Sequence, residues 1–242
     1  MTCKAVFSII IPTRNERNNL IKLLPVLVKL YPRNSIWIVD DDSADKSAEL
    51  VKSFSQKHPE VHLLSRKNKL GRGSAVLDGL REAYKDKEIS YFLEMDADFS
   101  HDPKEIEKLL SEIPKSSKSR SIIIGSRHIK GGKFVNCSPF RILLSQLANL
   151  YARLILKIPI NDYTNGFRLY PRSAVELLKN AKIHEKGYIT LSETAYLLHK
   201  LGFNFIEVPT IFVNRKVGKS NATIAEFLNS IPAVFRIRNN HN

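Results

Sequence analysis

AVFSIIIPTRNERNNLIKLLPVLVKLYPRNSIWIVDDDS, residues 5–43, decides how the rest of the chain is read. It opens on a β-branched apolar run, Ala5 to Ile11, which ends in the polar group Pro12-Thr13-Arg14-Asn15-Glu16. Leu20, Leu23, Leu24 and Leu27 follow at helical spacing. Pro25 lies among them and predicts a kink or a split, because proline has no N–H to give to the helix. A second short run, Ile36 to Val39, then meets Asp40-Asp41-Asp42-Ser43. The same alternation continues: Val61 to Leu64, Tyr91 to Met95 and Ile122 to Gly125 read as strands. Amphipathic segments from about Ser43 to Lys57, Gly73 to Tyr84 and Pro103 to Ile113 separate them. Repeated strand, helix, strand units predict an α/β fold with a mostly parallel central sheet flanked by helices.

A chain of 242 residues falls within the range of a single α/β domain. From Pro139 onward the pattern shifts to longer helices and fewer strands, while the Lys/Ser stretch from Pro114 to Arg120 reads as a surface loop. The formal net charge of +14 implies attraction to a polyanion: nucleic acid, an anionic membrane or a phosphorylated substrate. Cys3 and Cys137 are too far apart in sequence to suggest a metal motif or a disulfide framework, so a reducing compartment is expected. The N-terminus lacks the features of a secretory signal. The most apolar stretch, Phe140 to Ile160, is interrupted by Ser145, Gln146, Asn149, Arg153 and Lys157, so membrane contact is expected to be peripheral.

In open α/β sheets ligands sit beyond the carboxyl ends of the strands, so the residues after each strand are the first candidates for chemistry. Asp42 and Ser43 read as helix caps. Asp96 and Asp98 follow Tyr91-Phe92-Leu93-Glu94-Met95, and alternate residues at a strand end can turn two carboxylates toward one hard cation between phosphate oxygens. Gly71-Arg72-Gly73-Ser74-Ala75 fits a backbone that approaches a phosphate or a plain glycine turn. Arg127 after the fifth strand, Arg168 in Thr164-Asn165-Gly166-Phe167-Arg168, and Arg215 in the 214–220 segment are candidates to hold diphosphate or acceptor phosphate. Arg141, Ser145, Asn149, Arg153 and Lys157 form one polar face of a helix whose apolar face holds Leu143, Leu144, Leu147, Leu150, Tyr151 and Leu154. On that helix Arg153 and Lys157 are expected to be solvated.

Eight blocks in order carry a family likeness: IIPTRNERNNL, WIVDDDSADKSAE, GRGSAVLDGL, EMDADFSHDPKEI, GSRHIKGG, NDYTNGFRLYPRSAV, KGYITLSETAYLLHKLGF and VPTIFVNRKVGKS. The chain resembles the dolichol-phosphate and polyprenol-phosphate mannosyltransferases of glycosyltransferase family 2. That resemblance implies a GT-A nucleotide-sugar fold over residues 1–242, with a nucleotide-binding half to about residue 135 and an acceptor half from about 136. It also implies metal-dependent, inverting transfer of mannose from GDP-mannose to a dolichyl or undecaprenyl phosphate. By the same likeness Pro12, Thr13, Glu16, Asp40 and Asp41 surround the nucleotide, and Asp96 and Asp98 serve the pyrophosphate and its Mg2+ or Mn2+. Asp98, Arg127, Arg141 and Arg215 are the implied catalytic set, and Arg141, Arg168, Glu193 and Arg215 the acceptor set. Asp162 matches an acidic position near the sugar or acceptor. The chain departs from the family at Thr13, where many members have Tyr, at Asp42 for Gly, at Ser100 for a Gln found in some relatives, and at Asn221 for a common Lys.

The implied chemistry is self-consistent. A phosphate monoester is already ionised near neutral pH, so its attack on the anomeric carbon needs orientation and charge stabilisation more than a protein base. A neutral hydroxyl acceptor would need one, with Asp162 or Glu193 the first suspect. The competing enzyme reading is a family 2 transferase that uses UDP-glucose or another UDP-sugar, or a glycan hydroxyl. The competing non-enzyme reading, nucleic-acid binding, rests on charge alone and finds no recognisable module. Cytoplasmic, peripheral placement at a membrane is the expectation, compatible with a small membrane-anchoring partner. The segment from Thr223 to Ile237, interrupted at Pro232, reads equally as an interfacial helix and as a core helix.

Overall fold

The five strands expected in the first half all form, with ends shifted by no more than two residues. The computed structural model of the chain describes residues 6–68, 70–115, 120–214 and 224–241. Arg215, Asn221 and residues 116–119 of the Lys/Ser loop lie outside the described residues. Strands β1 (Phe7–Thr13), β2 (Ser35–Asp41), β3 (Val61–Arg66) and β4 (Tyr91–Glu94) alternate with helices α1 (Arg17–Leu30), α2 (Ser47–Ser55) and α3 (Arg72–Ala83). A turn of 3₁₀ helix, Pro103–Glu105, runs into α4 (Ile106–Ser111) and leads to β5 (Ser121–Ser126). Beyond them come β6 (Lys133–Val135), α5 (Pro139–Leu156), β7 (Arg168–Pro171), α6 (Arg172–Leu178), α7 (Thr190–Lys200), β8 (Asn204–Pro209), β9 (Ile211–Val213) and α8 (Ile224–Asn240).

Seven strands make the main sheet, in the order β3-β2-β1-β4-β7-β5-β8, and β6 and β9 form a small parallel pair. Only β7 is antiparallel to its neighbours in the main sheet, which confirms a mostly parallel α/β architecture. β7 and β8 come from the second half of the chain and flank β5. β1 is buried at all seven positions, as a central strand covered on both faces must be. Its side chains alternate: Ile9 and Ile11 pack with Leu20, Leu23, Leu24 and Leu27 of α1, while Ile10 packs with Ala75, Val76 and Leu80 of α3.

Two local expectations are corrected. Pro25 does not split α1, which runs unbroken from Arg17 to Leu30. Ile21 and Pro25 are both exposed, so water can meet the carbonyl that Pro25 leaves unbonded. Asp42 and Ser43 do not cap α2 either. Asp45 accepts from the Ser47 N–H at 3.0 Å, whereas the Ser43 hydroxyl accepts from the Asn15 N–H at 2.9 Å and ties two strand-end loops together. Asp42 sits at φ 62°, in the left-handed region that Gly, Asn and Asp tolerate best, which accounts for Asp at a position of Gly in the family pattern. In the described part of α8, Ala233, Val234 and Ile237 are buried, so this end is a core helix, and it continues through Pro232.

Candidate active site

Three parallel neighbours, β2, β1 and β4, end side by side and bring Asp40-Asp41, Pro12-Thr13 and Asp96-Ala97-Asp98 to one edge of the sheet. The register pairs Thr13 with Asp40. Glu16 follows as the residue before α1, half-buried, with its carboxylate accepting from the Asn19 amide. Asp40 is buried; its Oδ2 accepts from the Ser43 N–H at 3.1 Å, while Oδ1 is buried without a partner among the described residues. A dry carboxylate oxygen costs about 1–3 kcal/mol unless a donor N–H reaches it, so this edge is built to receive one. Asp41 is spent on structure. It accepts from the N–H groups of Leu70 and Gly71 at 3.0 and 2.9 Å and pairs with Arg66 at 3.0 Å. Those two N–H groups are therefore committed to a carboxylate, and the segment from Gly71, at φ 95°, is a glycine turn rather than a phosphate cradle.

Beside that row lies a cleft of about 550 Å³ whose lining includes Asp96, Asp98, Arg127 and Arg141. Arg72, at the start of α3, organises its acidic corner. Its Nη1 donates to Glu94 Oε1 at 2.6 Å and its Nε to Asp96 Oδ1 at 2.9 Å, and its guanidinium stacks 5.1 Å from the Tyr188 ring. Burial works to lower the Arg72 pKa, but the Asp96 and Glu94 carboxylates outweigh it and hold the group protonated. Asp98 is buried and accepts from the Ser100 N–H at 3.0 Å. Glu94, Asp96 and Asp98 gather three carboxylates at this corner, and Arg72 spans the first two. Among the described residues no group of three His, Cys, Asp or Glu side chains converges on one point. Two carboxylates of hard oxygen, with the remaining ligands left to phosphate and water, suit Mg2+ or Mn2+.

Gly166 is the condition for this arrangement. A Cβ built there would lie 2.0 Å from Arg72 Nη2, and Arg72 cannot swing aside without leaving its two carboxylates. Gly166→Ala should lower turnover by about 10²-fold, as misplacement of a catalytic corner does, with a loss of about 1–3 kcal/mol in urea unfolding. Unchanged turnover in that variant would mean Arg72 has room to move.

The opposite wall is basic and aromatic. Arg127 donates from Nε and Nη2 to Asp162 at 2.8 and 2.7 Å, and from Nη2 to the Thr164 hydroxyl at 2.7 Å. Burial pushes the Asp162 pKa up, but Arg127 outweighs it and holds the carboxyl well below the usual range. Asp162 is therefore a weak base, buried against Arg127 rather than open to an acceptor. Arg141 comes from the first turn of α5, where its Nη1 donates to the Asn214 amide oxygen and its guanidinium lies 5.4 Å from the Phe212 ring centroid. An apolar stretch of the wall includes Leu144, Ala148, Tyr151, Ala152 and Val234, and the rim beyond it carries Glu185, Lys186 and Arg236.

α5 is turned opposite to the sense that its pattern suggests. Asn149, from the polar face, is buried: its amide donates to the Ser145 carbonyl at 2.8 Å and accepts from the Tyr163 N–H at 2.6 Å. The Ser145 hydroxyl meets His128 Nε2 at 3.0 Å. The leucines at 143, 147, 150 and 154 face outward, while Arg153 and Lys157 are exposed as expected.

Two expected acceptor residues are scaffolding. Arg168 is 1% exposed and donates to the carbonyls of Asn165, Leu191 and Tyr163 at 2.9, 2.7 and 2.8 Å, which places its charge in the core behind the cleft. Glu193 is buried and accepts from the N–H groups of His184 and Glu185 and from His241, shaping the loop at one rim rather than facing the cleft. Sequence reasoning missed Arg72, Glu94, Phe212 and Tyr188. The one signal for Arg72 was a cation between two glycines, which make room for a large side chain as well as for a ligand.

The family described as Glycosyl transferase family 2 matches residues 8–178. The chain is 36% identical over 217 residues to the polyprenol monophosphomannose synthase of Mycolicibacterium smegmatis, covering 88% of this chain and 79% of that one. It is 33% identical over 211 residues to the undecaprenyl-phosphate mannosyltransferase of Micrococcus luteus, covering 87% and 85%. Among solved structures, the glucosyl-3-phosphoglycerate synthase of Mycobacterium tuberculosis with Mn2+, UDP and glucosyl-3-phosphoglycerate superposes at TM-score 0.65 and 14% identity, over 96% of this chain and 78% of that one. A mannosyltransferase of Pyrobaculum calidifontis with GDP-Man and Mn2+ superposes at 0.61 and 15% identity, over 90% and 59%. At such identities these superpositions speak for the fold.

Proposed function

The chain belongs to glycosyltransferase family 2, and from that membership we propose that it transfers mannose from GDP-mannose to a polyprenyl phosphate, dolichyl or undecaprenyl, with inversion at the anomeric carbon. The observation that carries the reading is the single cleft that joins an acidic corner, Asp96 and Asp98, to Arg127 and Arg141 and to an apolar wall. A sugar diphosphate needs the first, a phosphate acceptor the second and a polyprenyl chain the third. The relatives named above supply the mannose and the lipid class.

Asp96 and Asp98 would hold a Mg2+ or Mn2+ ion, which supplies charge stabilisation to the departing diphosphate. Asp40 Oδ1, with the row from Pro12 to Glu16 beside it, would receive an N–H of the base. Arg141 would hold the acceptor phosphate in line with the anomeric carbon. Arg127, already neutralised by Asp162, contributes its remaining N–H groups and a fixed position rather than a free charge. The acceptor oxygen is anionic, so no proton has to be removed, and Asp162, engaged by Arg127, need not serve as a base. This favours a phosphate over a glycan hydroxyl. A polyprenyl phosphate is a membrane lipid, so we take the chain to work peripherally at the cytoplasmic face of a membrane, with room for a small anchoring protein and no need for nucleic acid.

The test is a panel of labelled nucleotide sugars, incubated with the purified protein and polyprenyl phosphate, followed by analysis of the chloroform-soluble product. Labelled mannolipid from GDP-mannose is expected; a clear preference for UDP-glucose would defeat the mannose assignment. Arg141→Ala should raise KM for the lipid phosphate about 10–100-fold, the loss of one charge-assisted contact, with much less effect on KM for the donor. An equal rise in both would argue against an acceptor role.

A further inference from the structure

We propose that His101 is a positioning residue of the transfer site: through a buried hydrogen-bond relay to Thr210 and Glu105 it clamps the turn that carries Asp98 to the wall that carries Arg127 and Arg141. The proposal rests on the reading of Asp96 and Asp98 as the metal corner, and it specifies what holds that corner in register with the opposite wall. The turn needs holding. Phe99, next to Asp98, sits at φ 58°, a region that a bulky side chain rarely adopts unless its surroundings impose it.

His101 lies in that turn, 3% exposed, behind the lining of the cleft. The groups it touches are the ones that form the wall. Its Nε2 donates to Asn165 Oδ1 at 2.9 Å, and Asn165 lines the cleft together with Asp98. The imidazole stacks on Phe167 at 4.7 Å and meets the Phe212 ring edge-on at 5.7 Å. Phe212 in turn is the aromatic platform beneath the guanidinium groups of Arg127 and Arg141, 5.2 and 5.4 Å away. A backbone bond from the Val213 N–H to the Ser100 carbonyl at 2.9 Å ties the same turn to β9 a second time.

The bonding pattern of the relay follows from its protons. Asn165 Nδ2 donates to the Gly125 carbonyl at 2.6 Å, so Oδ1 must face the ring and Nε2 must carry hydrogen. On the far side Nδ1 lies 3.1 Å from the Thr210 hydroxyl, which itself lies 2.5 Å from Glu105 Oε2. A hydroxyl has one proton and cannot fill both links. With a neutral ring and an ionised Glu105 the relay is one proton short, and both links are hydrogen bonds only when that proton is held on Nδ1 or on Oε2. A buried network is rigid when every member is satisfied and costly when one lone pair faces another. The remaining contacts of Glu105, Lys108 Nζ at 2.6 Å and the Ile211 N–H at 3.2 Å, fasten the same side chain to α4 and to β9. An amide at position 105 would therefore keep the clamp, because it brings its own N–H to Thr210.

The experiment compares the full chain with three variants: His101→Phe, which keeps the ring stack and removes both bonds; Thr210→Val, which keeps the shape and removes the hydroxyl; and the conservative Glu105→Gln. Three readouts are taken well below each melting temperature: amide hydrogen exchange of the metal-free protein, calorimetric titration of Mn2+ with GDP or UDP present, and steady-state transfer. His101→Phe and Thr210→Val should exchange the Ser100 and Val213 N–H groups faster. They should also lose about 10–100-fold in Mn2+ affinity and in kcat, the usual effect of removing a group that orients a metal ligand. Glu105→Gln should stay near wild type in all three. A role in stability alone would lower the melting temperature and leave Mn2+ affinity and kcat unchanged. That result in His101→Phe and Thr210→Val overturns the proposal, as does a Glu105→Gln variant as impaired as Thr210→Val. If His101→Phe does not fold, Thr210→Val set against Glu105→Gln carries the test. If the wild type binds Mn2+ with neither nucleotide, the metal-corner reading fails, and hydrogen exchange still decides the clamp.

Discussion

Asp98→Asn leaves the fold intact and lowers transfer by about 10³-fold, some 4 kcal/mol of transition-state stabilisation. The substitution is chosen because the amide oxygen still accepts from the Ser100 N–H, at 3.0 Å in the native protein, so the turn after β4 is kept. What disappears is the charge of one of the two carboxylates, Asp96 and Asp98, that line the cleft. Asp96 already shares its charge with Arg72, whose Nη2 lies 2.8 Å from Oδ1. It cannot compensate. Turnover should recover only in part at high Mg2+ or Mn2+, because an amide oxygen is a poorer ligand for a hard cation. Calorimetric titration of Mn2+ in the presence of GDP gives the independent readout, with weakened binding expected. Near wild-type turnover, or unchanged Mn2+ affinity, would remove Asp98 from the metal site.

The first half of the fold was legible because its strands are buried on both faces and read as apolar runs, each cut off by a polar group at the ligand edge. β7 was not. Arg168–Pro171 is four residues long, begins with a buried arginine and ends in proline, so neither alternation nor β-branched content marks it. The inversion of α5 was hidden for another reason. Periodicity separates two faces of a helix but does not say which one meets the protein. That depends on His128 and on the backbone of Tyr163, whose positions no local pattern reports.

The site divides along the same line. Asp96 and Asp98 could be placed because a strand end fixes where alternate side chains point. Of the run Thr164-Asn165-Gly166-Phe167-Arg168, the first three residues line the cleft, whereas Arg168, the expected phosphate ligand, lies behind it. Gly166 makes room for Arg72, Asn165 Oδ1 accepts from His101 Nε2 at 2.9 Å, and Arg168 ties three carbonyls together. A motif tells which residues matter to the site; only packing tells which of them reach the substrate.

Asp162→Asn is expected to destabilise the protein by about 3–5 kcal/mol, the usual cost of leaving one partner of a buried pair uncompensated. For a chain of this size that is a fall in Tm of about 6–20 °C. Asp162 is fully buried, and Arg127, only 9% exposed, has Nε and Nη2 directed at it, so the guanidinium would lose its counter-charge where water cannot replace it. The pH dependence carries the sign. Arg127 outweighs burial and depresses the carboxyl pKa in the folded chain. The stabilisation is therefore complete above the unfolded carboxylate value, about 3.9, and drains away as pH falls below it. The Tm gap between wild type and variant should be widest near neutral pH and should narrow in acid below about pH 4. Asp162→Ala would mix in a cavity, so the amide is the informative replacement. A gap that stays constant with pH, or widens on acidification, would show that Asp162 stabilises the fold through its shape and hydrogen bonds and not through its charge. A gap that narrows ties the wall opposite the metal corner to one ion pair, whose charge is cancelled before any phosphate arrives. The acceptor's negative charge would then fall to Arg141.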